Sequence, residues 1–555
     1  MPAPPVNSVS APTWPAPAIV RAPRPADVVT LVDALRRAAP PAIALVVLVD
    51  DAPDLPRDAR TDPRLARPLL VAVAAPGLGA VHILEGAALA ALAPLQALLA
   101  GDPAPYVVVA DAHLTLGVLA RHGVAPPRFG CTLTAATLLA EGADGRRDDR
   151  PLGDLVRAHL GHDLPGRIVR GLCPGELGAS PLVTAAAAAD ALLPLMRALA
   201  PRLRELRLTR VFELECDLIP AVLAMESAGI AVDAAAFQRI VESWRRERQD
   251  AHDPARITRL DKLLTTFGHW PRDHVSLEGR IHTHLHPLAT DTGRFASTAP
   301  NLQQVPAEHT APGVRACFAA PPGRRLIVAD YAQIELRVAA HLARCPVLRQ
   351  VFVDGRDPHR TTAATLAGKP ESAITDHERK LAKAVNFGFL FGMGARRFRE
   401  YAAAGYGLDL DLPAAERARD AFLSTFPGIA AWHRQVGALA RRGEREDIVV
   451  HTVLGRRRRF LAGAFSFTAA LNVPVQGTAA EGFKLAMIDL HPALARLGGR
   501  GVLCVHDEYL AEVPEERADE AREVVQRTME AAMSRVVPSL PIVAEARVAA
   551  SWAEK

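Results

Sequence analysis

Two short apolar runs, far apart in the chain, each lead to an aspartate. Leu326-Ile327-Val328-Ala329 delivers Asp330 and then gives way to a helical pattern. Val502-Leu503-Cys504-Val505 passes through His506-Asp507 into Glu508-Tyr509-Leu510-Ala511-Glu512-Val513. The first reads as a strand turning into a helix, and the second as two strands joined at a tight turn that presents Asp507. A pair of carboxylates held this way suits the gripping of two divalent cations, provided the fold brings the two acids together. An aspartate at a strand end is, taken alone, most often a turn residue, so the surrounding pattern has to decide.

At 555 residues the chain is longer than one hydrophobic core usually organises, and two or more domains are expected. From about residue 17 to about residue 205, short apolar runs such as Ile43 to Val49 alternate with helical patterns, which predicts an α/β layer domain with its boundary near residue 205. An amphipathic helix is expected to begin in the stretch from Glu205 to Glu226. The 65 basic and 61 acidic residues leave a formal charge of +4, so a nucleic-acid surface would have to be local. The cysteines at 131, 173, 216, 317, 345 and 504 are scattered, which favours neither zinc nor a disulfide framework. The proline-rich start has no apolar signal core, and no uninterrupted apolar run of membrane-spanning length follows.

Thr375-Asp376-His377-Glu378 is a Thr-x-x-Glu capping box that predicts a helix running through Arg379, Lys383 and Phe387. Positions four apart advance about 6 Å and rotate by only about 40°, so these three share one face. A guanidinium and an ammonium near the helix start, where the macrodipole also favours anions, would suit an anionic ligand, with an aromatic ring following. In isolation such a stripe reads more readily as a solvated face beside a core aromatic.

Order along the chain decides between these readings. DYAQIELR (Asp330 to Arg337) and VHDE (Val505 to Glu508) resemble the two carboxylate motifs of family A DNA polymerases, and RKLAKAVNFGFLFG (Arg379 to Gly392) resembles their nucleotide-binding helix. TDTGRFASTAPNLQQVP (Thr290 to Pro306), DPHRTTAA (Asp357 to Ala364) and NVPVQGTAAEG (Asn472 to Gly482) are similar to three further motifs in the same order.

The resemblance implies a DNA-directed DNA polymerase, a nucleotidyltransferase adding dNTPs to a primer 3′-end on primer-template DNA by two-metal phosphoryl transfer, in replication or repair. Asp330 and Asp507, with the carbonyl of Tyr331, would ligate two Mg²⁺ ions, Mn²⁺ being an alternative. Glu508 would assist, and Lys383 would act as general acid toward pyrophosphate. Arg379, Lys383, Phe387, Phe391, His359 and Gln333 would hold the dNTP, and Glu335 would exclude a ribose 2′-hydroxyl. Arg294, Arg337, Asn472, Gln476 and His506 would contact DNA, those near the nascent pair checking shape through the minor groove. The run Arg456 to Arg459 fits a solvated patch and a phosphate contact equally well. A monomer is implied, cytoplasmic and nucleoid-associated as in bacterial or phage-type enzymes, with accessory processivity or repair factors left open.

The implied architecture is α+β: a right-hand polymerase of palm, fingers and reduced thumb, preceded by an α/β ribonuclease H-like exonuclease-type domain. Residues 1–16 would be a disordered arm, 17–205 the exonuclease-like domain, 206–290 the shortened thumb, 291–345 palm, 346–440 fingers and 441–555 palm again. Departures from the family pattern include Phe391 for tyrosine, Thr468 for arginine, and Ala296 and Ala332 for serines. The segment between Gly229 and Thr290 is short for a thumb, which implies low processivity. In the N-terminal region, Asp50-Asp51-Ala52-Pro53, Thr115, Thr184 and Ala188 stand where a proofreading site needs its carboxylates and tyrosine, so this domain is expected to be catalytically silent. The family's 5′-nuclease domain is expected to be absent. His282, His284 and His286 alternate as strand residues would, and a structural role is favoured over a metal site. Competing readings are a translesion or gap-filling polymerase, and a non-catalytic DNA-binding subunit, which would require loss of a carboxylate.

Overall fold

The computed structural model describes residues 11–50, 61–142, 151–166 and 180–554. Asp51, Ala52, Pro53 and Cys173 lie outside the described residues, as does the first part of the expected N-terminal arm. The chain divides into two compact units, Met1–Ile219 and Pro220–Lys555.

The first unit is built on a mixed six-stranded sheet. Its strands are β1 (Ile19–Ala22), β2 (Ala42–Val49), β3 (Pro68–Ala74), β4 (Val81–Glu85), β5 (Tyr106–Val109) and β6 (Phe129–Cys131), in the spatial order β1-β4-β3-β2-β5-β6. β3 runs antiparallel to both β2 and β4, and the remaining pairs are parallel. β2 reads AIALVVLV and is buried from its second residue on, the continuous apolar run of a strand covered on both faces. Helix α1 (Ala112–Arg121) carries Thr115, and α2 (Pro181–Glu205) lies across β2, β3, β4 and β5. By length and composition α2 could cross a membrane. Asp190, Pro194 and Arg197 interrupt its apolar run, which is why the sequence showed no such stretch. Its residues Ala185 to Ala189 are all fully buried, as befits the central helix of a core.

Three expectations are corrected here. The N-terminal arm carries structure from Thr13, which bridges Asp163. The Trp14 backbone donates to the Asp163 carbonyl at 2.7 Å, and its indole Nε1 donates to Asp190 Oδ2 at 3.0 Å. A half-polar indole that finds an acceptor is anchored rather than frayed. The unit boundary falls after Ile219, not near residue 205, because α3 (Thr209–Asp217) packs onto β6. The helix expected to begin within Glu205 to Glu226 is two helices, α3 and a second over Ile219–Ala228 with Pro220 at its start.

The second unit opens with a helix pair, α4 (Ala234–Asp250) and α5 (Pro254–Phe267), each capped by an aspartate, Asp233 and Asp253. Its framework is β7 (Arg324–Tyr331), α6 (Ile334–Leu342), α7 (Pro358–Ala367), α8 (Asp376–Leu390), α9 (Phe467–Ala495), β8 (Arg500–Val505), β9 (Glu508–Pro514), α10 (Ala518–Ser534) and β10 (Ala544–Ala549). The four strands form an antiparallel sheet in the order β8-β9-β7-β10. Side chains alternate across β7. Leu326 and Val328 join a core with Phe237, Phe318 and Trp552, while the Tyr331 hydroxyl donates to the Met529 carbonyl of α10 at 2.7 Å. Those three aromatic residues are fully buried, each worth roughly 1.5–3 kcal/mol of transfer free energy. The sheet is thereby fixed on both sides, and the end of β7 becomes a rigid platform.

Candidate active site

Sheet register settles whether the two acids meet. Asp330 on β7 pairs directly with Glu508 on β9, and Asp507 is the residue before Glu508, in the turn from β8. Cross-strand partners have Cα atoms about 4.5–5.5 Å apart, so the two aspartates are neighbours in space. His506 takes φ +58° to close the two-residue turn. Both aspartates line a cleft of about 1050 Å³. Burial pushes the Asp507 carboxyl up to about 7, and the negative charge of Asp330 adds to the rise. A buried carboxylate beside a second acid forms a site whose charge a divalent cation would relieve. Among the described residues no group of three His, Cys, Asp or Glu side chains could hold a metal. A pair of carboxylates fits a hard cation that completes its shell with waters and phosphate oxygens. Tyr331 also lines the cleft, while its hydroxyl is held by the Met529 carbonyl in the core.

The capping box forms as read from the sequence: Thr375 Oγ1 accepts from the Glu378 backbone N–H at 3.2 Å, and the Glu378 carboxylate accepts from the Thr375 N–H at 2.9 Å. It sets the phase of α8, and Arg379, Lys383 and Phe387 all face the cleft. Arg379 Nε donates to Asp357 Oδ2 at 2.6 Å. Asp357 also caps α7, accepting from the His359 N–H at 2.8 Å, so one carboxylate holds two elements of the wall. His359 lines the cleft at only 2 % exposure, and burial pushes its imidazole down to about 4, with Arg379 and Lys383 adding to the fall against the pull of Asp357. At neutral pH the ring is uncharged and can give one N–H to an anion.

Elsewhere in the cleft lining, Gln333 takes φ +56° before α6, and Glu335 in the first turn of α6 accepts from Arg294 Nη2 at 2.5 Å. Arg294 follows Gly293, which has φ +75° and lies so close to Arg456 that a Cβ would sit 2.6 Å from its Nε. Only glycine suits that turn.

Over residues 226–554 the sequence matches DNA polymerase family A. The chain belongs to this family. Relatives include DNA polymerase I of Aquifex aeolicus, 34% identical over 51% of this chain and 47% of the relative. The thermostable DNA polymerase I of Thermus filiformis is 39% identical over 53% and 35%, and DNA polymerase I of Rhizobium leguminosarum 32% identical over 67% and 43%. The chain thus spans less than half the length of each of these relatives. Among solved structures, the POL domain of Pol1 from M. smegmatis, in complex with DNA primer-template and dNTP, superposes with a TM-score of 0.76 at 25% identity, covering 96% of this chain and 99% of that one.

Within this family A fold, four residues singled out from the sequence do not line the cleft. Glu508 is buried at 4 % exposure, with Oε1 accepting from the Trp552 indole at 2.9 Å, which turns it toward the core. Phe391 ends α8 and packs on a satellite core with Val436 and Leu471. Asn472 and Gln476 lie on α9, away from the cleft lining. Arg337 does line the cleft, but it is buried at 6 % exposure and donates to the carbonyls of Ala332 at 2.9 Å and Pro541 at 2.5 Å, over the Phe352 ring. A guanidinium spent on carbonyls holds backbone together, which corrects its reading as a DNA contact. Within the arginine run, Arg456 faces Glu481 and is buried, Arg458 faces Asp291, and Arg459 faces Asp447 at the surface. His282 and His286 serve a backbone carbonyl (Glu226) and a hydroxyl (Thr298).

Two sets of residues in the cleft wall escaped the sequence reading. Asp357 carried a visible signal, an acidic residue followed by proline at a helix start. Glu545 and Arg547 carried none, because β10 joins β7 only through tertiary pairing.

Proposed function

We propose that the chain is a template-directed DNA polymerase that adds dNTPs to a primer 3′-end. The observation that carries the proposal is the convergence of two sequence-distant aspartates and the Arg379-Lys383-Phe387 stripe on one cleft. In this reading the β7–β10 sheet is the palm, α7 and α8 belong to the fingers, and α4 and α5 form the thumb. Arg379 and Lys383 bind and orient the triphosphate, Phe387 stacks on the incoming nucleotide, and His359 donates a hydrogen bond to a phosphate oxygen. Asp330, Asp507 and the Tyr331 carbonyl would hold two Mg²⁺ or Mn²⁺ ions, which when bound activate the primer hydroxyl and neutralise developing phosphate charge. The proposed setting is the bacterial cytoplasm, in replication or repair. Primer extension with Mg²⁺ and the four dNTPs tests the proposal. Templated extension is expected, and folded protein that incorporates nothing with either metal would sink it.

Glu335 is proposed to block a 2′-hydroxyl. Glu335→Ala should lower the preference for dNTP over rNTP, measured as the ratio of their kcat/KM values, by roughly a hundredfold. An unchanged ratio removes Glu335 from this role.

The N-terminal unit is proposed to lack proofreading. Thr184 and Ala188 sit fully buried inside α2, and Asp111 is engaged in capping α1. A 3′-labelled primer incubated with Mg²⁺ and no nucleotides should stay intact. Degradation that persists in Asp507→Ala would overturn this.

A further inference from the structure

Behind His359 lies a polar chain that the proposed chemistry does not use. Asn386 and Thr362 are both fully buried, one on α8 and the other on α7. Asn386 Nδ2 lies 2.9 Å from His359 Nδ1 and 3.3 Å from the Pro358 carbonyl, and Asn386 Oδ1 lies 2.7 Å from the Thr362 hydroxyl. Two carbonyl oxygens side by side repel, so the amide nitrogen belongs beside the Pro358 carbonyl and the oxygen faces the Thr362 hydroxyl, which also lies 3.0 Å from that carbonyl. The nitrogen that donates to Pro358 then donates its second hydrogen to His359 Nδ1.

We infer that Asn386 is a positioning residue that fixes the tautomer of His359, making Nδ1 an acceptor and leaving the proton on Nε2. Resting on the reading of the cleft as a triphosphate site, the inference gives His359 one directed N–H donor for a phosphate oxygen. With the other tautomer, a lone pair would meet the anion. The constraint costs no reorganisation on binding, because the amide is itself held at both ends. The charges acting on the ring are Asp357 at the start of α7 and Arg379 and Lys383 on α8. Helices Pro346–Val353 and Leu412–Thr425 and the short turn Glu371–Ala373, whose Glu371 bonds Thr361, also pack on α7 and add no charge to the ring.

Two measurements test this. In wild-type protein labelled with ¹⁵N-histidine, with His359 assigned by difference from His359→Gln, the ring should show an unprotonated Nδ1 and a protonated Nε2 from pH 5.5 to pH 8. A ring protonated at Nδ1 through that range overturns the inference. Asn386→Asp replaces the donor with an acceptor. It should draw a proton to Nδ1, stabilise the doubly protonated ring at low pH and leave a bare Nε2 at high pH. The ratio of its KM for dNTP to that of wild type should therefore climb from near one at pH 6 to roughly tenfold at pH 8.5, with kcat within about twofold. A loss of affinity that does not vary with pH marks Asn386 as merely structural and defeats the inference. Should Asn386→Asp fail to fold, the wild-type spectrum decides. A wild-type chain that extends no primer defeats the polymerase reading instead, while the spectrum still reports on Asn386.

Discussion

Asp507→Asn is expected to slow single-turnover nucleotide addition by about a thousandfold or more, and to make the metal-free protein more stable at pH 8. Both effects come from one carboxylate. The rate falls because the substitution replaces a carboxylate with a neutral amide at the proposed cation site, where charge stabilisation would have its largest leverage. Stability moves the other way because burial and the charge of Asp330 raise the Asp507 carboxyl to about 7, whereas in an unfolded chain it titrates near its ordinary value of about 4. Between those values the folded state binds the proton more tightly. Wild-type stability must therefore fall as pH rises through that window and level off above about 7. Asparagine carries no such penalty. The melting-temperature difference should be negligible below pH 4, grow between pH 4 and 7, and correspond to a few kcal/mol at pH 8. Adding Mg²⁺ at pH 8 should close the gap by stabilising wild type alone. An asparagine variant that melts below wild type at pH 8 without metal would show that the Asp507 carboxylate carries no burial and charge penalty, and the proposed cation site would lose its physical basis.

The sequence made this pair legible because strand, turn and helix boundaries are local. The apolar runs before Asp330 and Asp507, the turn at His506 and the capping box at Thr375 each depend on fewer than about eight consecutive residues. The phase of α8 follows from its cap, so helical periodicity alone assigns the stripe Arg379, Lys383 and Phe387 to one face. What stayed hidden depends on tertiary partners. Glu508 is adjacent to Asp507, but pairing across β7 and the Trp552 indole turn its carboxylate toward the core. Arg337 looks like a cation for DNA until the Pro541 carbonyl is seen beside it. Glu512 could not be recognised as the buried partner of Arg280, Arg324 and Arg500 from an alternating strand pattern. Periodicity says which face a residue occupies, and only the fold says what covers that face. The unit boundary was misplaced for the same reason: α3 has the amphipathic pattern of either neighbour, and its packing on β6 decided the matter.

Lys383 separates charge from proton donation, and its two substitutions should behave differently. Lys383 is exposed on the cleft face of α8, one turn after Arg379, whose Nε is already committed to Asp357. In the proposed reading its ammonium is the cation of the stripe that meets the triphosphate as charge shifts onto the leaving pyrophosphate. Lys383→Ala should lower kcat/KM for dNTP by about a thousandfold, mostly in kcat, because both an electrostatic contact and a proton donor are lost. Lys383→Arg retains the positive charge on a side chain that does not release its proton. Charge alone should restore KM to within about threefold of wild type, since ground-state binding needs only the cation. The chemical step should remain roughly a hundredfold slow, since protonation of the departing oxygen has lost its donor. Rapid-quench incorporation at saturating dNTP measures that step directly. If arginine restored it fully, Lys383 would be an electrostatic anchor, and the leaving group would have to take its proton from solvent.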